Sequence, residues 1–273
     1  MTVGIPDLTG RSAIVTGGAA GIGYAIAASL LARGAAVTIA DVEVEALESA
    51  ATKLGVPGIV ADVGRVEDVQ RLADEVLHRH GRIDIAVNNA GVAKVAPFAE
   101  LGLDDFRWVI EVNLWGVING MNVFLPIIEA TSSQGFIVNT ASIAGLRVGA
   151  GLAAYGVSKF GVVALTEALS AELAERDSHV GVGVLVPGAV QSNIADSERN
   201  RPGAALGATR RRQPDGIMPA AVFGEVVADA IERGDLYIVT HPDGAESVRV
   251  RHRRIEEAFS AAAQRNAESG VSH

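Results

Sequence analysis

Three residues in the second half of the chain, Ser142, Tyr155 and Lys159, have side chains that could transfer and stabilise a proton. Tyr155 and Lys159 are four positions apart, so a helix beginning near residue 153 would place them on one face. An ammonium group beside a phenol favours the phenolate and lowers a tyrosine pKa that is about 10 in water. The pair is therefore a candidate general acid and base. The alternative is a packed tyrosine beside a lysine whose stem lies along the helix, since such pairs also occur by chance.

The elements that would position these side chains alternate along the chain. Short apolar runs that end in polar or glycine residues predict strands, and longer stretches with helical periodicity predict helices. This alternation indicates a parallel sheet covered on both faces, and right-handed crossovers make it a doubly wound, Rossmann-type α/β fold with seven strands. No flexible linker divides the chain, so we expect a single domain over residues 1–273. The predicted strands are 11–17, 35–41, 56–63, 82–91, 135–142, 179–188 and 235–242, and the predicted helices are 21–34, 44–55, 66–81, 103–128, 153–176, 219–234 and 246–267.

Composition and charge narrow the classes of function. The chain has 273 residues, of which 49% are hydrophobic, and its 31 glycines suit a globular protein with many tight turns. A net charge of −9 argues against nucleic-acid binding, for which a basic face is expected. The absence of cysteine excludes thiol nucleophiles and Cys-ligated metals, and we predict no metal site. No apolar run reaches the length of a membrane span and no signal-peptide pattern begins the chain, so we expect no membrane association and a cytoplasmic location.

A glycine-rich stretch, TGGAAGIG, lies between the first predicted strand and the first predicted helix, where a doubly wound fold binds a dinucleotide. Gly17, Gly21 and Gly23 would permit positive φ and close approach of the backbone to a pyrophosphate at the helix N-terminus. Their spacing is G-x-x-x-G-x-G, and glycine clusters also make ordinary tight turns. The position between a strand and a helix favours the nucleotide.

Asp41 ends the second predicted strand, 18 residues after Gly23. A carboxylate there can accept hydrogen bonds from both hydroxyls of the adenosine ribose and would repel a 2′-phosphate. Neither Ala20 nor Val42 is cationic. The sequence therefore predicts NAD as the cofactor in preference to NADP. The alternative interpretation of Asp41 is a cap of the following helix.

Polar and small residues end the next two strands. Asp62 and Val63 end the third, where an aspartate could meet the adenine amino group. Asn88, Asn89, Ala90 and Gly91 end the fourth, where small residues would let the backbone pass a cofactor. Taken singly, each group is equally well explained as a polar turn at the end of a strand.

Together, these motifs resemble the tyrosine-dependent branch of the short-chain dehydrogenase/reductase family. The resemblance covers about residues 8–195 and is very specific, because seven separate motifs occur in the family's order and at its spacing. The matching pieces are TGGAAGIG, Asp62-Val63, the NNAG of residues 88–91, Asn113, Ser142, Tyr155 with Lys159, and Pro187-Gly188.

The resemblance implies hydride transfer between NAD(H) and a secondary alcohol or ketone. Tyr155 would give or take the proton at the substrate oxygen, Ser142 would hydrogen-bond that oxygen, and Lys159 would lower the tyrosine pKa and bind the nicotinamide ribose. Asn113 would hold a water that links the lysine to solvent. The full set of predicted cofactor contacts is Gly17, Gly21, Ile22, Gly23, Asp41, Asp62, Val63, Asn89, Ala90, Gly91, Tyr155, Lys159, Pro187, Gly188, Val190 and Ser192.

Segment 189–218 should form a lid over the substrate, since it contains several prolines and glycines. Its arginines, among them Arg199, Arg201 and Arg210 to Arg212, could hold an anionic group or could simply be solvated. The expected pocket walls are largely apolar and point to a hydrophobic alcohol or ketone. They are Ala93, Val95, Leu146, Val148, Leu152 and Trp115, with core packing as the alternative for Trp115.

The C-terminus departs from many bacterial members of the family, because it lacks their glycine-rich final strand segment. This argues against a bacterial β-ketoacyl reductase. The last predicted helix carries Arg249, Arg251, Arg253 and Arg254 beside two glutamates, which favours a solvated or subunit-contact face over a site for an acidic partner.

Other functions remain open at the level of sequence. The fold could serve an NAD(H)-binding redox-sensing regulator without turnover, or related lyase, dehalogenase or isomerase chemistry. A binding-only relative would be free to lose Asn113, Ser142, Tyr155 or Lys159, and all four are present. The resemblance also implies a homotetramer or homodimer built on helix 103–128 and the helix of Tyr155, although their apolar faces could equally lie on the sheet.

Overall fold

The computed structural model describes residues 3–188, 193–201 and 219–268. The chain divides into two compact units, Met1–Thr240 and His241–His273. The organisation of residues 1–273 as a single domain stays a prediction.

Seven parallel strands form one sheet in the first unit, in the order β3-β2-β1-β4-β5-β6-β7. This order reverses between β1 and β4, which creates the crevice at which doubly wound folds bind ligands. The predicted seven-stranded, doubly wound fold is confirmed. The strands are β1 Ser12–Thr16, β2 Ala36–Asp41, β3 Gly58–Val60, β4 Ile85–Asn88, β5 Gly135–Thr140, β6 Val180–Val186 and β7 Tyr237–Val239.

Helices cover both faces of this sheet and bury the apolar residues that the sequence spaces at helical intervals. Helices α1, α2 and α7 lie on one face, and α3, α5 and α6 lie on the other. The helices of the first unit are α1 Gly21–Ala32, α2 Val44–Leu54, α3 Val66–His80, α4 Leu103–Ile110, α5 Gly116–Thr131, α6 Ala153–Glu175 and α7 Ala220–Arg233. Short 3-10 turns cover Phe98–Glu100, Ile143–Gly145 and Asn193–Asn200.

The predicted long helix 103–128 is interrupted by a π-helical segment, Glu111–Trp115, which joins α4 to α5. Such segments are rare and occur mostly as single turns inside longer helices, often at functional sites. After this segment the helix passes very close to the end of β4, since a Cβ added to Gly120 would lie 2.0 Å from Asn88 Oδ1. The π-helical segment thus sets which faces of α4 and α5 meet the strand ends.

The third predicted strand, 56–63, is much shorter in the structure. β3 spans only 58–60, because β2 pairs with it only over Ile39, Ala40 and Asp41. The Ala61 N–H still donates to the Asp41 carbonyl at 3.1 Å, and the chain then turns, with Asp62 Oδ1 accepting a hydrogen bond from the Gly64 N–H at 3.0 Å. The strand is cut short where its residues turn toward the crevice.

The second unit contains a 3-10 turn, Pro242–Gly244, followed by the helix α8, Ala245–Glu268. Along those 24 residues none is buried, and Phe259 is 75% exposed. Arg249 and Arg253 both donate to Glu246 on the same helix, at 3.0 and 2.8 Å. Within the three described ranges, no helix is both long enough and apolar enough to cross a bilayer.

Candidate active site

A cavity of about 1150 Å³ opens at the carboxyl ends of the strands. It is larger than the ~300–1,000 Å³ of typical small-ligand pockets, so it has room for a dinucleotide. Gly23 and Asn113 do not line it, and Val190 and Ser192 lie outside the described residues. The other predicted site residues do line it: Gly17, Gly21, Ile22, Asp41, Asp62, Val63, Asn89, Ala90, Gly91, Ser142, Tyr155, Lys159, Pro187 and Gly188.

The turn from β1 into α1 has the tight backbone that a pyrophosphate site requires. Gly17 has a φ of +64°, in the left-handed region that favours glycine. A Cβ on Gly23 would lie 2.2 Å from the Gly17 carbonyl oxygen, so only glycine lets the start of α1 pack this closely against the turn. Ala20 precedes the helix without a side-chain cap, which leaves the first N–H groups of α1 available to an anion. These residues fit a dinucleotide phosphate.

The loops after β1 and β4 are joined by Thr16 and Asn89. Thr16 Oγ1 accepts from the N–H groups of Asn89 and Ala90 at 3.0 and 3.2 Å. In return, Asn89 Nδ2 donates to the carbonyls of Thr16 and Gly17 at 3.0 and 3.3 Å. Asn89 therefore shapes the cavity by holding the phosphate turn. Thr16 was not among the predicted site residues, although its position just before the glycines was an available signal.

Asp41 lines the cavity at the end of β2 and is held by two backbone groups. Its Oδ2 accepts from the Ala19 N–H and its Oδ1 accepts from the Glu43 N–H, both at 3.1 Å. The alternative that Asp41 caps the next helix is wrong, because α2 begins at Val44 and Glu43 occupies the cap position. Burial raises the pKa of Asp41, although both hydrogen bonds act against that rise.

Tyr155 and Lys159 lie one turn apart on α6, as the spacing predicts. Lys159 is 2% exposed, and its Nζ donates to the Thr140 carbonyl at 2.8 Å and lies 5.7 Å from the centroid of the Tyr155 ring. Burial lowers the pKa of Lys159 to about 7. Burial also raises the pKa of Tyr155, and a hydrogen bond with Ser142 opposes this only in part. This direction is opposite to the sequence expectation, because desolvation of the phenolate outweighs its neighbours.

Ser142 follows β5 and lines the same cavity as Tyr155. It caps the 3-10 turn 143–145, where its Oγ accepts from the Ala144 N–H at 3.1 Å. That bond uses only a lone pair, so the hydroxyl proton can be donated to Tyr155 or to a substrate oxygen. Ser142 and Tyr155 can therefore meet the same substrate oxygen.

Asn113 lies behind the cavity wall in the π-helical segment and is completely buried. Its Oδ1 accepts from the Val92 N–H at 2.8 Å, and its Nδ2 donates to the Val92 carbonyl at 2.9 Å and to Ser158 Oγ at 3.1 Å. Ser158 in turn donates to the Tyr155 carbonyl at 2.7 Å. The side chain thus ties the loop after β4 to α6, and its role in holding a water stays a prediction.

The cavity wall differs in part from the predicted set. Ala93, Val95 and Leu152 line it, whereas Leu146, Val148 and Trp115 do not. Trp115 is 50% exposed, so it lies in neither the wall nor the core. Trp108 lines the cavity instead, seven residues earlier. Two residues seven apart lie on nearly the same face of a regular α-helix. The π-helical segment has more residues per turn, so Trp108 and Trp115 lie on different faces.

Residues 193–201, which we call the roof segment, include the described part of the predicted lid. Four of its residues make contacts around the cavity. Ser197 hydrogen-bonds to the backbone of Ala93. The other three form salt bridges: Glu198 with Lys94, Arg199 with Glu43, and Arg201 with Asp105. Arg199 and Arg201 are therefore paired with carboxylates of the protein itself. Residues 189–192 and 202–218, with Arg210 to Arg212, lie outside the described ranges.

A family model described as short chain dehydrogenase matches residues 11–203. The chain belongs to the short-chain dehydrogenase family. It is 36% identical over 232 residues to 3beta-hydroxysteroid dehydrogenase 2 of Eggerthella lenta, which covers 80% of this chain and 88% of the relative. It is 38% identical over 243 residues to D-threitol dehydrogenase of Mycolicibacterium smegmatis, covering 85% and 92%.

Solved structures of this short-chain dehydrogenase family share the fold. A short-chain dehydrogenase/reductase from Burkholderia phymatum in complex with NAD matches with a TM-score of 0.87 and 34% identity, covering 92% of this chain and 96% of that one. An alcohol dehydrogenase from Thermococcus sibiricus complexed with 5-hydroxy-NADP matches with a TM-score of 0.72 and 28% identity, covering 84% and 95%. This short-chain dehydrogenase is thus an oxidoreductase that uses a nicotinamide cofactor with an alcohol or ketone. The alternative of a regulator without turnover has no support among these relatives.

Proposed function

We propose that the protein oxidises a hydrophobic secondary alcohol, or reduces the matching ketone, with NAD(H) as its preferred cofactor. The observation that carries this proposal is Tyr155 beside the buried Lys159 and Ser142, in a cavity that Asp41 also lines. When bound, the nicotinamide gives or accepts the hydride, and the protein supplies orientation and a proton.

The three side chains divide the acid–base work. Tyr155 holds the proton that passes to a carbonyl oxygen in reduction, or accepts the hydroxyl proton in oxidation. Ser142 donates a hydrogen bond to that oxygen and fixes its position. Lys159 lies within 5.7 Å of the Tyr155 ring centroid, where its cationic form stabilises the phenolate. Since burial raises the pKa of Tyr155, cations near the phenol are needed to bring it into the working range.

Asn113 supports this site from behind. Both Nδ2 hydrogens and Oδ1 are already bonded to Val92 and Ser158, so the side chain has little capacity left for a water. We infer that a water relay at this position would use main-chain groups of the π-helical segment. In this role, the Asn113 side chain fixes the geometry on which the relay depends.

The preference for NAD rests on Asp41, and replacing it by asparagine is expected to weaken that preference. Wild-type protein should use NAD with a kcat/KM at least about tenfold above that for NADP, because bringing like charges together costs several kcal/mol. Asp41→Asn should raise the relative use of NADP, since the repulsion of a 2′-phosphate is removed. Asp62→Asn, in the same cavity, is the control and should affect both cofactors alike. A wild-type preference for NADP would overturn the assignment.

The substrate class rests on the wall of the cavity. Five of the residues that line it are apolar, which favours a hydrophobic ring or chain: Ala93, Val95, Trp108, Leu152 and Ile194. The names of the two relatives offer contrasting probes. We expect NAD-dependent oxidation of a 3β-hydroxysteroid, followed by NADH absorbance, to exceed oxidation of D-threitol. Faster oxidation of threitol would reject the hydrophobic class and leave the reaction type in place.

We further propose a homo-oligomer, a tetramer or dimer, in the cytoplasm. Apolar side chains on the predicted contact helices support it, since Leu103 is 73% exposed, Trp115 50% and Val157 53%. A subunit interface would cover them. Light scattering should therefore give a mass at least twice the 28.2 kDa of one chain. The mass of a single chain would reject the proposal.

A further inference from the structure

The loop after β4 is held by side chains from three different parts of the fold. Thr16 accepts from the N–H groups of Asn89 and Ala90. Asn113 bonds to both the N–H and the carbonyl of Val92. Gly91 lies between them, next to the site, since a Cβ on it would be 3.3 Å from Asn113 Oδ1 and 3.6 Å from Lys159 Nζ. This loop therefore forms the surface against which the lysine is placed.

Ser197 of the roof segment holds the next residue of this loop. Its Oγ accepts from the Ala93 N–H at 2.9 Å and donates to the Ala93 carbonyl at 3.2 Å. Asn113 makes the same two-bond contact with Val92, one residue earlier. Ser197 is 3% exposed, and it is the most deeply buried of the neighbouring residues 196–201. The roof segment is thus fastened to the loop through one buried hydroxyl.

The contacts of the neighbouring residues are of a different kind. Glu198 pairs with Lys94, and both side chains are partly exposed. Arg199 and Asn200 both bind the Glu43 carboxylate at the start of α2. These contacts dock the roof segment at the rim of the cavity, but they reach side chains only. Ser197, in contrast, bonds to the main chain of the β4 loop.

We propose that Ser197 is a positioning residue that couples docking of the roof segment to ordering of residues 90–93, and so to the placement of Lys159 and the cofactor. Ala93 is half-buried, and Ser197 is the hydrogen-bond partner of both its N–H and its carbonyl. Without the Ser197 contact, Asn89, Ala90 and Val92 keep their bonds to Thr16 and Asn113, but Ala93 loses both of its hydrogen bonds to a side chain. The site is therefore complete only when the roof segment is docked. The predicted effect on catalysis rests on the proposed function, whereas the predicted ordering of residues 90–93 does not.

Amide hydrogen exchange tests the structural part without any substrate. Ser197→Ala should speed exchange at Ala90, Gly91 and Val92 by about tenfold, in overlapping peptides that cover residues 85–95. These amides are informative because Ser197 does not touch them. Glu198→Gln is the matched control, since it removes the charge of the ion pair with Lys94 in the same segment but leaves the loop backbone bonded, and it should exchange as wild type does. Thermal unfolding of both variants checks that they are folded.

Steady-state kinetics with NAD and a 3β-hydroxysteroid test the catalytic part. Ser197→Ala should lower kcat by about tenfold, because small misplacements at a reacting centre are costly, with KM changed by less than about threefold. Glu198→Gln should leave kcat unchanged. Unaltered exchange at 90–92, or a kinetic change confined to KM, would overturn the inference. If wild-type protein does not oxidise the steroid, the proposed substrate class fails, and the exchange result still decides whether Ser197 orders the loop.

Discussion

Replacing Tyr155 by phenylalanine is expected to lower kcat by about 10²–10⁴-fold, because the variant has no proton to exchange with the substrate oxygen. Cofactor binding should persist, since the ring and its packing remain and Lys159 keeps its bond to the Thr140 carbonyl. The measurement is the rate of NADH formation with a 3β-hydroxysteroid, together with NADH binding followed by protein fluorescence.

A matched control for this variant is Tyr237→Phe. Tyr237 is 47% exposed on β7, and its hydroxyl donates to Glu167 at 2.5 Å, away from the cavity. The same loss of a hydroxyl there should leave kcat within about twofold, as expected for a surface substitution. If Tyr155→Phe kept a large share of wild-type kcat, or lost activity only together with NADH binding, the acid–base assignment would be wrong.

Replacing Lys159 by methionine is expected to abolish most activity and to change how stability depends on pH. The variant lacks the cation that stabilises the Tyr155 phenolate, so kcat should fall by about 10²-fold or more. It also removes an amine that is costly to bury in its charged form. Activity and stability should therefore respond to this substitution in different ways.

The pH dependence follows from the pKa of Lys159, which burial lowers from 10.5 to about 7 in the folded protein. Between these values the unfolded chain binds a proton that the folded chain does not, so this lysine makes wild-type stability rise with pH across that window. Below pH ~7 both states are protonated and the full cost of burying the charge is present. The advantage of Lys159→Met over wild type should thus be largest in acid and shrink as the pH rises.

Urea unfolding at pH ~6 and pH ~9.5 measures this difference. The free energy of unfolding of Lys159→Met minus that of wild type should decrease by about 3 kcal/mol between the two conditions, at about 1.4 kcal/mol per pH unit above the folded pKa. Lys53→Met, at the exposed end of α2, is the control and should show no such change. An equal difference at both pH values would mean that Lys159 keeps an ordinary pKa in the fold.

The order of elements could be predicted because buried parallel strands are short apolar runs and helices carry apolar residues at helical spacing. Both patterns are local, so they predicted α6 with Tyr155 and Lys159 on one face. Pairing partners are not local. β3 stops at Val60 because it pairs with only the last three residues of β2, and no feature of 56–63 itself shows this.

The cavity was harder to predict where its residues come from distant parts of the chain. Trp108 and Trp115 are seven residues apart, which predicts one face of a regular α-helix. The π-helical segment breaks that relation, and Trp108 lines the cavity whereas Trp115 does not. The partners of the roof segment could not be predicted either, because Arg201 meets Asp105 across 96 positions of sequence. The direction of the Tyr155 pKa depends on burial in the folded protein, which the spacing of two residues does not report.

The π-helical segment Glu111–Trp115 also limits how the length of this helix can change. Deleting one of its residues could restore a regular α-helix, but it would rotate one half against the other by about 100°. If the first half rotated, Asn113 would lose its hydrogen bonds to Val92 and Ser158. If the second half rotated, a residue with a side chain would replace Gly120 beside Asn88 at the end of β4 and would clash with it. The deletion would make the helix more regular but would lower the activity of the enzyme. Between Leu103 and Thr131, therefore, this chain can accept substitutions far more readily than the gain or loss of a single residue.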